Sequence, residues 1–366
     1  MTDRFNFSEL ASIIEINSFT KNKAGVDINA NIYSEWMRVL GYDVQVHKRS
    51  EIGNHVHYVS PKKAGKKVLL LGHFDTVFPP DTFESFREDE EWIYGPGVCD
   101  MKGGNYIALQ ALRNVKAMQG DISNIDVLMV SDEETGSDDS KHLTMDIAKH
   151  YDACFVFEAA GPDDNVVIAR KGIATFTLNI TGKAAHSGNY YVDGINANLA
   201  AAHLLISLTA LTDLAAGTTV NAGKMHGGIG ANTISPSASL VVEARFSQKS
   251  ERDRILTAFQ TISELPAHGG ATVQLTGGLQ RDVMQPSDQQ TALLEELAVI
   301  MGSPLHTEKR GGVSDANVAS AAGVPTLDGF GPYGDGDHTI DERARKSSFI
   351  SRTADVTKIL SAFNGK

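Results

Sequence analysis

Three short, continuous apolar runs constrain the fold of this chain more than any other sequence feature. They are Val68–Leu71, Val127–Val130 and Ala153–Phe157. Runs of this length without polar alternation are typical of strands that are covered on both faces. Each run is followed within a few residues by histidine or acidic side chains. Because functional groups on open α/β sheets gather at the strand ends, the pattern predicts such a sheet with a chemical site at one edge.

Apolar residues at helical spacing predict the helices that cover this sheet. The predicted helices are residues 8–18, 25–40, a segment ending near 118, 140–150, 289–301 and 347–363. In the second helix Ile28, Ile32, Trp36 and Leu40 form the apolar stripe, and Gly41 is placed as a stop. This alternation of helices and buried strands indicates an α/β fold with a mixed sheet flanked by helices.

A different pattern begins near residue 172. Apolar and polar residues alternate over Phe176–Ile180, as in a strand with one solvent-exposed face, and the elements that follow have the order βαββαβ. This is the plan of a ferredoxin-like unit. A chain of 366 residues also exceeds what one hydrophobic core usually serves. We therefore predict a first domain of residues 1–171 and 281–366, with residues 172–280 as an inserted second domain.

Charge and cysteine content restrict the partners and the compartment. A formal net charge of −12, from 45 acidic residues against 33 Lys plus Arg, would repel nucleic acids and anionic membranes. Two cysteines, Cys99 and Cys154, are too few for a disulfide framework. The N-terminus lacks the pattern of a secretory signal, and the apolar tract Leu199–Leu214 is too short and polar to span a bilayer. These features predict a cytoplasmic protein with no nucleic-acid or membrane partner.

Five histidine and acidic side chains at predicted strand ends and in loops form a candidate metal site. They are His73, Asp100, Glu134, Glu158 and His338. Imidazole and carboxylate ligands without thiolate suit Zn²⁺ in a catalytic site, with Co²⁺ or Mn²⁺ as substitutes. Five ligands exceed the need of one tetrahedral zinc with an open position. They suit two ions about 3.5–4 Å apart that share a bridging carboxylate.

Two more acidic residues, Asp75 and Glu133, lie beside these candidate ligands. Asp75, two residues after His73 on the same strand face, is expected to orient that imidazole. Glu133 and Glu134 follow a strand end. Because adjacent side chains on an extended chain point in opposite directions, one of the pair can hold a metal ion while the other handles a proton.

Five segments in sequence order carry a resemblance to a known family. They are Gly72–Val77, Gly95–Gly104, Ser131–Gly136, Ala185–Gly188 and Gly311–Ala316. Together they resemble the successive signatures of the co-catalytic zinc aminoacylase and glutamate carboxypeptidase family, with the carboxypeptidase G type as the nearest branch. The resemblance implies that the inserted domain serves as a lid and dimerisation domain.

The resemblance also implies roles for individual residues. One zinc ion is implied to be held by His73 and Glu158, the other by Glu134 and His338, with Asp100 as the bridge. Glu133 is implied to be the general base. That role agrees with the need for a carboxylate that takes a proton from the attacking water and passes it to the leaving amine. The family further implies a cis peptide bond after Asp100.

Three residues of the inserted domain are implied to act on the substrate. His186 matches a residue that stabilises the tetrahedral oxyanion, in relatives often in the active site of the partner subunit. Asn232 and Arg245 match substrate-binding residues. On its predicted strand Arg245 faces away from the apolar residues, which displays a guanidinium suited to a two-point grip on a carboxylate. Arg281 and Arg310 are further candidates for this grip.

The first functional prediction is a zinc-dependent hydrolase with two Zn²⁺ per subunit. It cleaves an amide bond adjacent to a free carboxylate and releases a C-terminal amino acid such as glutamate from a small peptide or N-acyl amino acid. A homodimer through residues 172–280 is expected. The near alternative is an N-acyl-amino-acid deacylase or dipeptidase of the same family. A distant alternative is a catalytically silent, metal-binding dimeric protein, which the intact base and ligands disfavour.

Overall fold

The computed structural model describes residues 5–264 and 267–365. The chain forms two compact units. The first contains the residues up to Ala169, Pro286–Arg310 and the residues from Ser314 onwards, and the second contains Arg170–Gln285 with Gly311–Val313.

Helices and strands are numbered along the chain. The helices are α1 (Ser8–Ile14), α2 (Lys23–Leu40), α3 (Lys102–Gln119), α4 (Ser140–Ala148), α5 (Ala197–Thr209), α6 (Lys249–Glu264), α7 (Asp288–Met301), α8 (Asp315–Ala321) and α9 (Lys346–Phe363). The strands are β1 (Asp43–His47), β2 (His55–Val59), β3 (Val68–His73), β4 (Arg87–Glu88), β5 (Trp92–Tyr94), β6 (Ile125–Val130), β7 (Ala153–Val156), β8 (Val166–Arg170), β9 (Gly172–Thr181), β10 (Thr219–Gly227), β11 (Ser237–Phe246), β12 (Thr272–Arg281), β13 (Thr307–Arg310), β14 (Thr326–Leu327), β15 (Gly334–Asp335) and β16 (Arg343–Arg345).

The first unit is built on a six-stranded mixed sheet in the order β1-β2-β6-β3-β7-β14. Strands β6, β3, β7 and β14 pair in parallel, and β2 and β1 extend the sheet by antiparallel pairing. Every residue of β3, β6 and β7 is buried. The covering on both faces that the apolar runs predict is therefore present, and the α/β fold class is confirmed.

The parallel strands end at one edge of this sheet. β3 ends at His73, which pairs in register with Val130 at the end of β6. After β6 the chain enters a single 3₁₀ turn, Glu133–Thr135, and Glu158 follows β7 by two residues. This edge brings together side chains that are far apart in sequence.

A small four-stranded sheet in the first unit, in the order β15-β16-β5-β4, was not predicted from the sequence. In it Arg343 pairs in register with Tyr94 on β5 and with Asp335 on β15. The Arg343 guanidinium lies 4.3 Å from the ring centroid of Trp92, a cation–π contact that ties the β15–β16 hairpin to β5.

The second unit has the order β9-α5-β10-β11-α6-β12. Its sheet is antiparallel throughout, in the order β10-β11-β9-β12, which is the ferredoxin-like arrangement. Phe176 on β9 stacks on Phe259 of α6 at a centroid distance of 4.1 Å. Leu204 of α5 and Leu240 of β11 belong to the same buried cluster. Helices and sheet therefore share one core within this unit.

The predicted apolar stripe of α2 is confirmed at Leu40, which is buried, but it is wrong at Ile28. Ile28 is 48% exposed, whereas the buried face carries Val26, Tyr33 and Met37. Gly25 gives the reason, because a Cβ at this position would lie 1.8 Å from the carbonyl oxygen of Asn17. This close approach fixes the rotation of the helix about its axis. No helix among the described residues is long and apolar enough to cross a membrane.

Candidate active site

Asp100 lies between two histidines of the first unit. Its Oδ1 is 3.1 Å from Nε2 of His73, and its Oδ2 is 3.1 Å from Nε2 of His338. Each carboxylate oxygen therefore faces a different imidazole. This is the arrangement that a carboxylate needs in order to bridge two metal ions.

Two more carboxylates complete the cluster. Glu158 Oε1 lies 3.7 Å from Nε2 of His73, and Glu134 Oε2 lies 3.2 Å from Nε2 of His338. Ligand atoms of His73, Asp100 and Glu134 all lie within 4.8 Å of one another. The structure thus brings all five predicted ligands together as two groups that share Asp100.

The adjacent acids lie on the 3₁₀ turn Glu133–Thr135 rather than on an extended chain. The expectation that they point in opposite directions therefore had the wrong structural basis. Successive residues of a 3₁₀ turn are rotated by about 120° around its axis. The carboxylate of Glu134 lies against the imidazole of His338. Glu133 is buried, and its negative charge contributes to raising the pKa values of both Glu134 and Glu158. Glu133 thus belongs to the same cluster.

Asp75 supports the cluster in two ways. Its backbone oxygen lies 3.0 Å from Nδ1 of His73, and its Oδ1 lies 3.4 Å from the same nitrogen. Its carboxylate also accepts the backbone N–H groups of Glu133 at 3.3 Å and Glu134 at 3.2 Å. Thr20 donates its hydroxyl to Asp75 at 2.7 Å. One buried carboxylate therefore orients an imidazole and anchors the turn that carries both glutamates.

The charges of the cluster favour bound cations. Hydrogen bonds with Asp100 and Glu134 raise the pKa of His338 to about 11. Burial and then the charge of Asp100 raise the pKa values of Glu134 and Glu158 well above the usual range. Buried carboxylates this close together need positive charge to remain ionised. Two imidazoles and three carboxylates therefore fit a pair of divalent cations.

A buried carboxylate that the sequence analysis missed holds the loop of Asp100. Glu342 has no exposed surface. Its Oε1 accepts the backbone N–H groups of Cys99 at 2.9 Å and Asp100 at 3.1 Å, and its Oε2 accepts that of Gly97 at 3.0 Å. Burial raises the pKa of Glu342 to about 8, although these amide donors act in the opposite direction. The Asp100–Met101 peptide bond is cis, which confirms the prediction.

In the second unit, His186 and Asn232 lie close together. Nδ1 of His186 accepts the backbone N–H groups of Gly188 at 3.1 Å and Asn189 at 3.2 Å. Its Nε2 therefore carries the ring proton in the neutral imidazole. The N–H of Ser187 donates to the backbone oxygen of Asn232 at 3.0 Å. His186 and Asn232 are both exposed, on backbone segments that lie side by side in this unit.

Arg245 is already engaged by groups of the second unit. Its Nε donates to Oε1 of Glu243 at 2.7 Å, and its Nη1 donates to the backbone oxygen of Gly311 at 3.2 Å. The guanidinium is therefore not freely displayed, contrary to the expectation. The reason is that Glu243, two residues earlier on β11, projects from the same face of the strand. Arg281 is buried.

A further arginine, Arg310, lies close to the candidate metal ligands of the first unit. Arg310 donates to Oε1 of Glu308 at 2.6 Å and to the backbone oxygen of Ala159 at 2.9 Å. Ala159 directly follows Glu158, and the charge of Arg310 acts on the carboxyl group of Asp337. Arg310 thus supplies positive charge close to the candidate ligands.

Comparison with known proteins agrees with this geometry. A sequence profile described as Peptidase family M20/M25/M40 matches residues 69–362. Carboxypeptidase G2 from Pseudomonas sp. (strain RS-16) is 28% identical over 340 residues, which cover 90% of this chain and 82% of that protein. Among solved structures, aminopeptidase PepT from Bacillus cereus has a TM-score of 0.80 at 21% identity, covering 96% of both chains.

A second solved structure concerns a metal-binding relative. The Bacillus subtilis YXEP protein, a dinuclear metal-binding peptidase of the M20 family, has a TM-score of 0.71 at 13% identity and covers 96% of both chains. The family profile spans residues 69–362, which is most of the present sequence. It confirms the resemblance read from the motifs. The chain belongs to the peptidase family M20/M25/M40 and is a metal-dependent hydrolase.

Proposed function

We propose that the protein hydrolyses an amide bond adjacent to a free carboxylate and releases a C-terminal amino acid such as glutamate. The observation that carries this proposal is the carboxylate of Asp100, which offers one oxygen to each of two histidine-centred groups. The similarity to a carboxypeptidase over 90% of the chain supports the choice of bond.

The five clustered side chains would hold two Zn²⁺ ions, with Co²⁺ or Mn²⁺ as substitutes. When bound, the ions would supply Lewis-acid activation of a water molecule and of the scissile carbonyl. The protein itself orients the ligand side chains. Asp75 fixes the ring of His73 through Nδ1 and leaves Nε2 directed at Asp100 and Glu158.

Glu133 is proposed as the general base. It lies beside Glu134 on the anchored 3₁₀ turn and is buried within the cluster. A carboxylate in this position suits a base that accepts a proton from the attacking water and delivers it to the leaving amine. His186 is proposed to stabilise the tetrahedral oxyanion by donating its Nε2 proton, in its own chain or in a partner subunit.

Arg245 and Asn232 are proposed to bind the carboxylate of the leaving amino acid. Arg245 already holds the two-point geometry of a guanidinium on a carboxylate, with Nε at 2.7 Å and Nη2 at 3.5 Å from the oxygens of Glu243. A substrate carboxylate would replace Glu243 as its partner. Arg310 is a second candidate for the same role because it lies beside Glu158 in the first unit.

A substrate panel tests the proposal. The zinc-supplemented protein is assayed with N-acyl glutamates, with their α-carboxamide counterparts and with unblocked dipeptides. We expect turnover of the N-acyl or peptidyl glutamates and little of the amides. If only N-acyl amino acids are hydrolysed, regardless of which amino acid they carry, the deacylase alternative is favoured. If only unblocked dipeptides are hydrolysed, a dipeptidase is favoured. No turnover of any member would favour the silent metal-binding protein.

The arginine assignment has its own test. Arg245→Ala should lower kcat/KM for carboxylate substrates by an amount equivalent to roughly 2 to 3 kcal/mol of transition-state stabilisation, the scale of a lost charge-assisted pair. The kcat/KM for the amides should not change. Arg310→Ala is measured in parallel. The matched control is Arg254→Ala, which removes an arginine that pairs with Glu251 on α6. An equal loss on both substrate types would show that Arg245 does not bind the substrate carboxylate.

We also propose a cytoplasmic homodimer that forms through the second unit, with no nucleic-acid or membrane partner. β10 is an edge strand, so in the described part of the chain one side of it has no strand partner. On the same unit Leu199 and Ile206 of α5 are 41% and 67% exposed, and Met225 of β10 is 42% exposed. An apolar helix face beside an open strand edge suits a second copy related by a twofold axis.

A further inference from the structure

We infer that Glu342 is a positioning residue that fastens the Asp100 loop to the hairpin of His338 and so holds these two metal ligands in register. The inference deepens the proposed function and rests on the metal centre proposed there. Glu342 has no exposed surface, so a bound substrate would not reach its carboxylate. It can influence the reaction only through the groups that it holds.

The carboxylate gathers three backbone donors from one loop. The N–H groups of Gly97, Cys99 and Asp100 lie at 3.0, 2.9 and 3.1 Å from its two oxygens. A carboxylate is the side chain suited to this task, because its two oxygens accept several hydrogen bonds and donate none. Without it the three amides would be buried without these acceptors, which is unfavourable. The loop conformation that presents Asp100 to both histidines therefore depends on this one side chain.

The backbone of Glu342 extends the link to the second ligand. Its N–H donates to the carbonyl of Thr339 at 3.2 Å, within the turn that contains His338. Its own carbonyl accepts the N–H of Gly95 at 3.4 Å, at the start of the Asp100 loop. Glu342 follows His338 by only four residues. The side chain and backbone of Glu342 together join the Asp100 loop to the turn of His338. The facing atoms of these two ligands, Oδ2 of Asp100 and Nε2 of His338, lie 3.1 Å apart.

The test compares Glu342→Gln and Glu342→Ala with the wild type, and uses Asp341→Asn as a control. Asp341 is an exposed acid on the same hairpin. Gln preserves the shape but turns one acceptor into a donor that faces an amide N–H, and Ala removes all three bonds. Amide hydrogen exchange is measured on the metal-free proteins. Binding of Co²⁺ alone is followed by titration and by its visible absorption, which reports ligand geometry.

We expect exchange at Gly97, Cys99 and Asp100 to accelerate by about tenfold or more in the Glu342 variants, because each loses hydrogen bonds worth about that factor. Exchange in β3, β6 and β7 should stay unchanged. Co²⁺ affinity should fall by about 10- to 100-fold with an altered spectrum, the usual effect of losing a residue that supports a metal ligand. Both effects should be larger in Glu342→Ala than in Glu342→Gln, and Asp341→Asn should behave like the wild type.

Two results would overturn the inference. One is wild-type exchange and Co²⁺ affinity in Glu342→Ala. The other is a uniform loss of protection across the first unit, which would show a general structural role. If Glu342→Ala does not fold, Glu342→Gln decides by the same two criteria. Failure of the proposed function has a different signature, since the wild type itself would then bind no pair of Co²⁺ ions while its loop amides remained protected.

Discussion

The proposed role of Glu133 as general base makes a prediction that separates this residue from its neighbour Glu134. Glu133→Gln keeps the shape of the side chain and removes the proton acceptor. We expect kcat to fall by about 10² to 10⁴ fold while both metal ions are retained. Steady-state kinetics with metal analysis measures both. Glu134→Gln is the matched comparison, because Glu134 faces His338 and its loss should release metal instead. Near-normal turnover in Glu133→Gln would assign the base elsewhere.

Among individual residues, those that follow buried strands could be predicted from the sequence on physical grounds. His73, Glu134 and Glu158 follow apolar runs whose parallel pairing places them at one edge. Glu342 could not be predicted in this way. Its partners are backbone amides, and their positions depend on the pairing of β5 with β16. No spacing in the sequence distinguishes such an acid from an exposed one.

Among the secondary-structure elements, β2 carries a pH-sensitive histidine away from the site. His57 is 9% exposed and its Nε2 lies 3.1 Å from the hydroxyl of Tyr151. Burial lowers the pKa of His57 to about 4, although the nearby Asp126 raises it and His47 and Lys62 lower it. In the unfolded chain the pKa is about 6.5. Between these values the unfolded chain binds a proton that the folded protein excludes.

The unfolding free energy should therefore decrease as the pH falls from about 6.5 towards 4, with a contribution from His57 of about 3 kcal/mol. Denaturant unfolding of the wild type and of His57→Gln at pH 7 and pH 4.5 measures the difference. The variant should lose less stability on acidification. His150→Gln, at an exposed position, serves as the control. Equal pH dependence in His57→Gln and the wild type would contradict the assignment.

The elements differ in how well the sequence specifies them. Long apolar runs predicted β3, β6 and β7, and period-two alternation predicted β9. The short strands β4, β5, β15 and β16 were missed because two or three residues carry no periodic signal. The local hairpins β4–β5 and β15–β16 are joined by the pairing of β16 with β5, which is distant in sequence, and by contacts such as that of Arg343 with Trp92. The exposure of Ile28 on α2 was missed because a close backbone approach at Gly25 sets the rotation of the helix.

For the whole molecule, the proposed dimer makes a direct prediction. Light scattering at micromolar concentration should give twice the chain mass. Ile206→Asp places a charge on the exposed apolar face of α5 and should shift the equilibrium towards monomer, because burying an unpaired charge is costly. Val299→Asp is the control, since Val299 is 84% exposed on α7 of the first unit. A wild type that is monomeric under these conditions would contradict the dimer.

We propose that one chain holds two divalent ions through the shared carboxylate of Asp100. The most direct measurement is elemental analysis of the purified protein after saturation with Zn²⁺ and removal of free metal. The wild type should contain two ions per chain. Asp100→Ala should lose most of both, because this residue faces both histidine-centred groups. A wild-type content of one ion or fewer per chain at saturation would contradict the account.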